Sequence, residues 1–190
     1  MKKVTGILIL LTVMALATPA MFGQEERGQV SVFADYVRLR HAGNANFWGP
    51  GGSLAFNLNN YAALEGSMAY DLEKTVVVSG TDPLTGATFT TNNGLRLWHG
   101  EFGPKFQTGF HSAKLYLVLK GGFLHFSSSQ NFANTVGQFG NGDTNGVFYP
   151  GVGFEVGKRF GLRAEVGDLM YFDNGVNHNL RIQVGPKISF

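Results

Sequence analysis

The 190 residues carry 15 Lys+Arg against 13 Asp+Glu, with 17 Phe, 27 Gly and no cysteine. Without cysteine there is neither a disulfide framework nor a lipid-anchored amino terminus. Setting aside Lys2 and Lys3 of the 15 leaves 13 of each sign, so the basic balance of the precursor gives no reason to expect nucleic-acid binding.

Those two lysines head an apolar core from Ile7 to Ala17 and a small-residue exit, Thr18-Pro19-Ala20. This is the pattern of a secretory signal peptide over residues 1–23, cleaved after Ala20 or Gly23. It is too short and wrongly flanked for a retained spanning helix. The remaining residues, 24–190, have the length of one domain. They contain no run of the roughly 18 apolar residues that a spanning helix needs, so any membrane crossing must be made by strands.

Turn signals cut that domain into eight alternating segments. The first, Gln29 to Arg38, leaves its facing open, since Val30, Val32 and Tyr36 compete with Phe33, Val37 and Leu39. The second, Gly51 to Leu58, sets Leu54, Phe56 and Leu58 opposite Ser53, Ala55 and Asn57. After an Asn59-Asn60 turn, Tyr61 to Leu72 sets Leu64, Met68, Tyr70 and Leu72 against Glu65, Ser67, Ala69 and Asp71. Leu95 to Gln107 sets Trp98, Phe102 and Phe106 against His99, Glu101 and Lys105. Ala113 to Phe126 sets Leu115, Leu117, Leu119 and Phe123 against Tyr116, Val118, Lys120 and Leu124. Val147 to Val156 sets Phe148, Val152, Phe154 and Val156 against Tyr149, Gly151, Gly153 and Glu155. Phe160 to Tyr171 sets Leu162, Ala164 and Val166 against Arg163, Glu165 and Gly167. In the last segment Leu180, Ile182, Val184, Ile188 and Phe190 oppose Arg181, Gln183, Lys187 and Ser189. A period of two throughout is the signature of strands with two unlike faces.

Short links at Asn59-Asn60, Gly109–Ser112 and Gly157–Arg159 alternate with longer polar stretches at 41–49, 73–93, 127–145 and 173–178. An even number of up-and-down strands then gathers every long loop at one end and every short turn at the other. The expected fold is all-β, an eight-stranded antiparallel up-and-down transmembrane β-barrel. A soluble lipocalin-like carrier would give the same count but bury its apolar face inward. The signal peptide, the terminal Phe190 and aromatics near strand ends (Tyr61, Trp98, Phe106, Phe148, Phe160, Tyr171, Phe172) favour the membrane version.

Nine charged residues then lie opposite the apolar rows: Glu65, Glu101, Lys105, Lys120, Glu155, Arg163, Glu165, Arg181 and Lys187. If the apolar rows meet lipid, these charges fill the lumen and have to pair. The expected lumen network is Glu65, Glu101, Lys120, Glu155, Arg163, Glu165 and Arg181. An interior of eight strands is just wide enough for side chains, which argues against bulk porin conduction.

The domain resembles the OmpA/OmpX-type small outer-membrane β-barrels of Gram-negative bacteria. Gly103-Pro104-Lys105-Phe106, Leu119-Lys120-Gly121-Gly122 and Pro150-Gly151-Val152-Gly153-Phe154-Glu155-Val156 are similar to a widespread bacterial outer-membrane β-barrel domain, and the resemblance spans residues 24–190. The terminal strand resembles the insertion signal of such barrels, with Phe190 as its last residue. The resemblance implies outer-membrane lipid and lipopolysaccharide as surroundings, engagement of the barrel-assembly machinery through the C-terminal strand, and a monomer. It is specific for architecture and much less so for activity.

Three motifs invite chemistry. Gly151-x-Gly153-x-x-x-Gly157 has neither the spacing nor the following helix of a nucleotide site, and crowding in a narrow barrel accounts for it. His125-Phe126-Ser127 is similar to the arrangement in outer-membrane lipid A deacylases, where histidine could activate serine for acyl transfer. Ser128 follows Ser127, however, and the next strand's outward row of Phe148, Val152 and Phe154 offers no carboxylate to orient the histidine. The loop Gly140–Gly146 holds one carboxylate, Asp143, too few for calcium. The five histidines are scattered with no i, i+2 pair, so no metal or cofactor is expected. The expected role is non-enzymatic: a structural protein or one that interacts through its surface loops. A lipid A-modifying acyl hydrolase using His125 and Ser127 and the soluble carrier are the alternatives.

Overall fold

Period-two alternation gives the chain one way to satisfy its backbone across a hydrocarbon layer, which is to close a sheet on itself. The computed structural model describes residues 27–40, 44–81, 88–110, 113–128 and 143–190. Its strands are β1 (Gly28–Leu39), β2 (Ala45–Asn57), β3 (Ala62–Thr81), β4 (Thr88–Phe110), β5 (Ala113–Ser128), β6 (Thr144–Val156), β7 (Phe160–Asp168), β8 (Met170–Phe172), β9 (Val176–Asn177) and β10 (Leu180–Ser189). All neighbours are antiparallel. The order β5-β4-β3-β2-β1-β10-β7-β6 closes through pairing of β5 with β6. Two short pieces complete the barrel, with β8 continuing β7 past Leu169 and β9 leading into β10. The result is a closed eight-stranded antiparallel barrel. The expected signal peptide, residues 1–23, lies outside the described residues.

The register fixes the stagger. From Val37 the pairing runs through Arg181, Gly167, Gly151, Val118, Lys105 and Ala63 to Asn57. The Asn57 N–H then donates to the Arg27 carbonyl at 2.9 Å, ten residues back along the first strand from the start. Such a stagger tilts the strands and leaves an interior that side chains alone fill. The short ends are tied locally: the Asn59 side-chain oxygen accepts the N–H groups of Tyr61 and Ala62, both at 2.8 Å, an Asx turn. At the seam, Gly28 and Phe190 exchange two backbone hydrogen bonds of 2.8 Å.

Two aromatic rings bound an outward apolar belt. Phe56, Tyr61, Phe106, Phe154, Phe160 and Phe190 ring the short-turn end, and Trp48, Tyr70, Trp98, Phe148 and Phe172 the long-loop end; all are exposed. From Trp48 to Phe56, or from Trp98 to Phe106, is eight residues, roughly 26 Å along a strand at ~3.3 Å each. Strand tilt shortens that rise, and the ring side chains extend it, to the ~25 Å scale of an outer-membrane apolar band.

The first strand resolves with Phe33, Val37 and Leu39 inward and Val32 outward. Two of the segment boundaries differ from expectation. Residues 45–49 belong to β2 rather than to a loop, and most of the stretch 73–93 is not a loop at all. β3 and β4 run on as a ladder from Lys74 paired with Leu95 out to Thr81 paired with Thr88, after a register shift between Asp71 and Lys74. The Thr-, Ser-, Gly- and Asn-rich composition there matches a solvated ribbon, in which backbone pairing rather than an apolar face makes the strand.

Beyond the upper aromatic ring the two faces exchange character. Leu39, Phe47, Leu95, Leu97, Leu124, Phe126, Val147, Leu169 and Tyr171 are buried inside the barrel, while Arg38, Glu73 and Arg96 are exposed. Where the outer face turns charged, the interior becomes an ordinary hydrophobic core. Phe126 and Tyr171 meet edge to face there, with centroids 5.4 Å apart. The lumen is therefore polar through the belt and apolar at its long-loop end.

Candidate functional site

The residues with chemical capacity converge inside the barrel, in two tiers. All seven of the expected network residues are buried there. In the tier nearer the short turns, Arg163 reaches Glu65 with both terminal nitrogens, at 2.7 and 2.6 Å, the side-by-side geometry that suits guanidinium to carboxylate. It also pairs with Glu165 and donates to Ser53 at 3.2 Å. Lys120 lies 2.6 Å from Glu65 and 3.5 Å from Glu165. Glu155 pairs with Lys105, lies 3.3 Å from Lys187, and accepts from Gln29 at 2.9 Å.

The second tier belongs to Arg181. Its Nε lies 2.9 Å from Asp35 and its Nη1 2.9 Å from Glu101. His99 stands among three carboxylates: Nδ1 is 2.6 Å from Glu101, and Nε2 is 3.0 Å from Asp35 and 3.4 Å from Asp71. Ser67 links the tiers, donating to Glu101 at 2.9 Å and accepting from Lys120 at 3.4 Å.

Two inward tyrosines floor this array. Lys105 lies 4.3 Å and the Arg163 guanidinium 5.0 Å from the Tyr116 ring centre, and the Arg181 guanidinium 5.1 Å from that of Tyr149. Cations over ring faces gain further in a water-excluded interior. Tyr116 finds room because the adjoining position is Gly153, where a Cβ would come within 2.3 Å of its ring. Gly153 thus serves packing against a ring, whereas Gly157, with φ +94°, serves the turn before β7.

Sequence reasoning placed Lys105 and Lys187 on the polar face without assigning them to the network. It passed over Asp35, Asp71 and His99 as site residues. Asp71 and His99 carried a signal, since each alternates with outward aromatics. Asp35 carried none, because its strand has apolar residues on both faces.

The His-x-Ser motif lies elsewhere, toward the rim. His125 Nδ1 meets the Thr144 hydroxyl at 2.8 Å and its ring packs against Trp98 at 5.9 Å. Thr144, directly across the ladder from His125, supplies a hydroxyl where a triad would need a carboxylate. A His125→Ala, Ser127→Ala double variant should leave the cell's lipid A acylation pattern as it is. Mass spectrometry of extracted lipid A from cells with and without the protein reads this directly, and a species made by the wild type but not by the double variant would reverse it.

Outside the barrel proper, Arg96 donates to Glu73 at 2.7 Å at the base of the protruding ribbon. That hydrogen bond, with the Glu73 charge, holds the guanidinium above its ordinary range. Both side chains are exposed, so the pair orders the ribbon more than it stabilises it.

Among solved structures, the chain is similar to Ail, the attachment invasion locus protein of Yersinia pestis, with a TM-score of 0.53 and 15% identity over 88% of this chain and 100% of that one. It is also similar to neisserial surface protein A, NspA, with a TM-score of 0.56 and 13% identity over 86% and 96%. Ail in complex with the heparin analogue sucrose octasulfate matches at 0.51 and 14%, over 87% and 97%. These are small eight-stranded outer-membrane barrels of the OmpA/OmpX type, so the resemblance holds for the fold of the whole domain. No protein-family model and no curated protein matches the sequence.

Proposed function

We propose that the chain is a monomeric outer-membrane β-barrel protein that works without catalysis, anchored by its belt and acting through what it presents at the long-loop end. One observation carries the reading. The outward face between the two aromatic rings is apolar on every strand, while the enclosed face holds at least eleven buried charged side chains. A soluble carrier would need the reverse, an apolar cavity inside and charges in water. The ion-paired lumen would serve as a rigid pillar, and the β3–β4 ribbon would be the element best placed to meet a surface partner. Outer-membrane lipid and lipopolysaccharide would surround the belt.

Phe190 ties this reading to an experiment. It would serve as the terminal insertion signal read by the barrel-assembly machinery, and its backbone closes the seam with Gly28. The wild type should fractionate with the outer membrane and run as a heat-modifiable band in detergent gels. Phe190→Asp should cut the outer-membrane yield severalfold and leave degraded protein in the periplasm. Full assembly of this variant would remove the insertion-signal reading, and a wild type found soluble in the periplasm would remove the membrane reading itself.

A further inference from the structure

We propose that Asp35, Asp71 and the Nε2 of His99 hold one divalent transition-metal ion of the zinc class inside the barrel, independently of any surface role. The three side chains come from β1, β3 and β4. Their nearest ligand atoms all lie within 4.8 Å of one another, and all three side chains are fully buried.

Four observations point to an ion rather than to mutual hydrogen bonding alone. First, neither carboxylate oxygen of Asp71 accepts a well-formed hydrogen bond, and His99 Nε2 stands 3.4 Å away. A carboxylate taken wholly out of water without a donor is among the costliest groups a fold can hold. Second, Nε2 lies 3.0 Å from Asp35 and 3.4 Å from Asp71. Two ligands at ~2.0–2.1 Å from a tetrahedral zinc stand about 3.3 Å apart, so these separations suit groups that share a metal.

Third, the outer groups are already set. The other ring nitrogen of His99 faces Glu101 at 2.6 Å, the carboxylate–histidine arrangement that fixes the tautomer and turns Nε2 toward a metal. Arg181 donates to one oxygen of Asp35 at 2.9 Å, and the other oxygen faces His99 Nε2 at 3.0 Å, on the side where a metal would sit. Fourth, the strand between the two carboxylates carries no side chain there and lies close against its neighbour. Gly49 pairs with Asp35 in register, and a Cβ there would come within 2.6 Å of the Asp71 Cα and 1.9 Å of the Tyr70 carbonyl oxygen. With no side chain between them, Asp35 and Asp71 meet across β2.

Charge agrees. With His99 neutral, this tier sets Asp35, Asp71 and Glu101 against Arg181 alone, a deficit that one divalent ion cancels. An imidazole beside carboxylates suits zinc and its neighbours, whereas calcium takes six to eight oxygens. The scattered histidines gave no hint of this in the sequence, because no two of the three residues share a strand. The apolar layer at the long-loop end closes the lumen, so the ion would enter during assembly.

The test refolds the full domain into detergent from metal-stripped denaturant, with Zn2+ or Co2+ added, and then desalts it. Wild type should keep about one equivalent of zinc, and its Co2+ form should show the visible absorption of a low-symmetry tetrahedral site. Asp71→Asn, which removes the orphan charge with its shape retained, and His99→Gln should each bind at least about tenfold more weakly, and Glu101→Gln about 10–100-fold more weakly. The heat-modifiable gel shift reports folding of every variant. Folded wild type that retains no metal, or folded Asp71→Asn that retains it as wild type does, would overturn the site.

Discussion

Replacing Arg181 with Met should destabilise the folded barrel by about 3–5 kcal/mol in chelator-treated buffer, and replacing Arg163 with Met should cost clearly less. Both substitutions keep most of the buried volume, so the comparison isolates charge. Removing Arg181 takes the one arginine from Asp35 and Glu101, each 2.9 Å away. Only His99 then remains to face three buried carboxylates. Removing Arg163 frees Glu65 and Glu165 in part, but Lys120 stays 2.6 Å from the first and 3.5 Å from the second. Lys105 lies a further 3.7 Å from Glu65. The lower tier has four cations to three carboxylates and can lose one cation without stranding a charge. Urea unfolding in lipid vesicles, followed by the fluorescence of Trp48 and Trp98 at the upper rim, measures both. Equal losses, or a larger loss at Arg163, would show that the tiers do not act as separate units.

Much of this was legible in the sequence, and the limits have physical causes. Inside the belt, lipid outside and ion pairs inside impose opposite demands on alternate residues, so β3, β4, β6, β7 and β10 declare their facing unaided. Beyond the upper ring the solvent changes and the rule inverts. Leu95 and Leu97 point in and Arg96 points out, which a single rule for the whole strand misreads. The stretch 73–93 reads as loop because its Thr, Ser, Gly and Asn composition resembles a turn. Register, unlike facing, cannot be taken from alternation, since a slip of two residues preserves every face. That is why the seven residues could be placed on the inward face while their partners could not be named. It is also why Asp35, Asp71 and His99 went unlinked: only the register from β1 through β2 and β3 to β4 brings positions 35, 71 and 99 to one height.

Leu117→Arg should destabilise the barrel by about 2–4 kcal/mol, while Thr75→Arg changes stability by ~0–1 kcal/mol. Leu117 pairs with Phe106 on one side and Val152 on the other, faces outward, and is 41% exposed. Its neighbours in the belt offer no carboxylate, and the ion-paired lumen is closed off by the backbone. A guanidinium there must reach along the strand to the interface or drag water into the hydrocarbon. Thr75 is also exposed, but it stands on the ribbon past Tyr70 and Trp98, where the surroundings are water. The contrast between the two positions therefore measures the depth of the belt and not the chemistry of arginine. Paired urea titrations in vesicles and in short-chain detergent supply the check. The Leu117→Arg penalty should shrink in detergent, which tolerates water at the protein surface better than a bilayer does. A charge tolerated equally at both positions in vesicles would mean that the apolar face does not meet lipid.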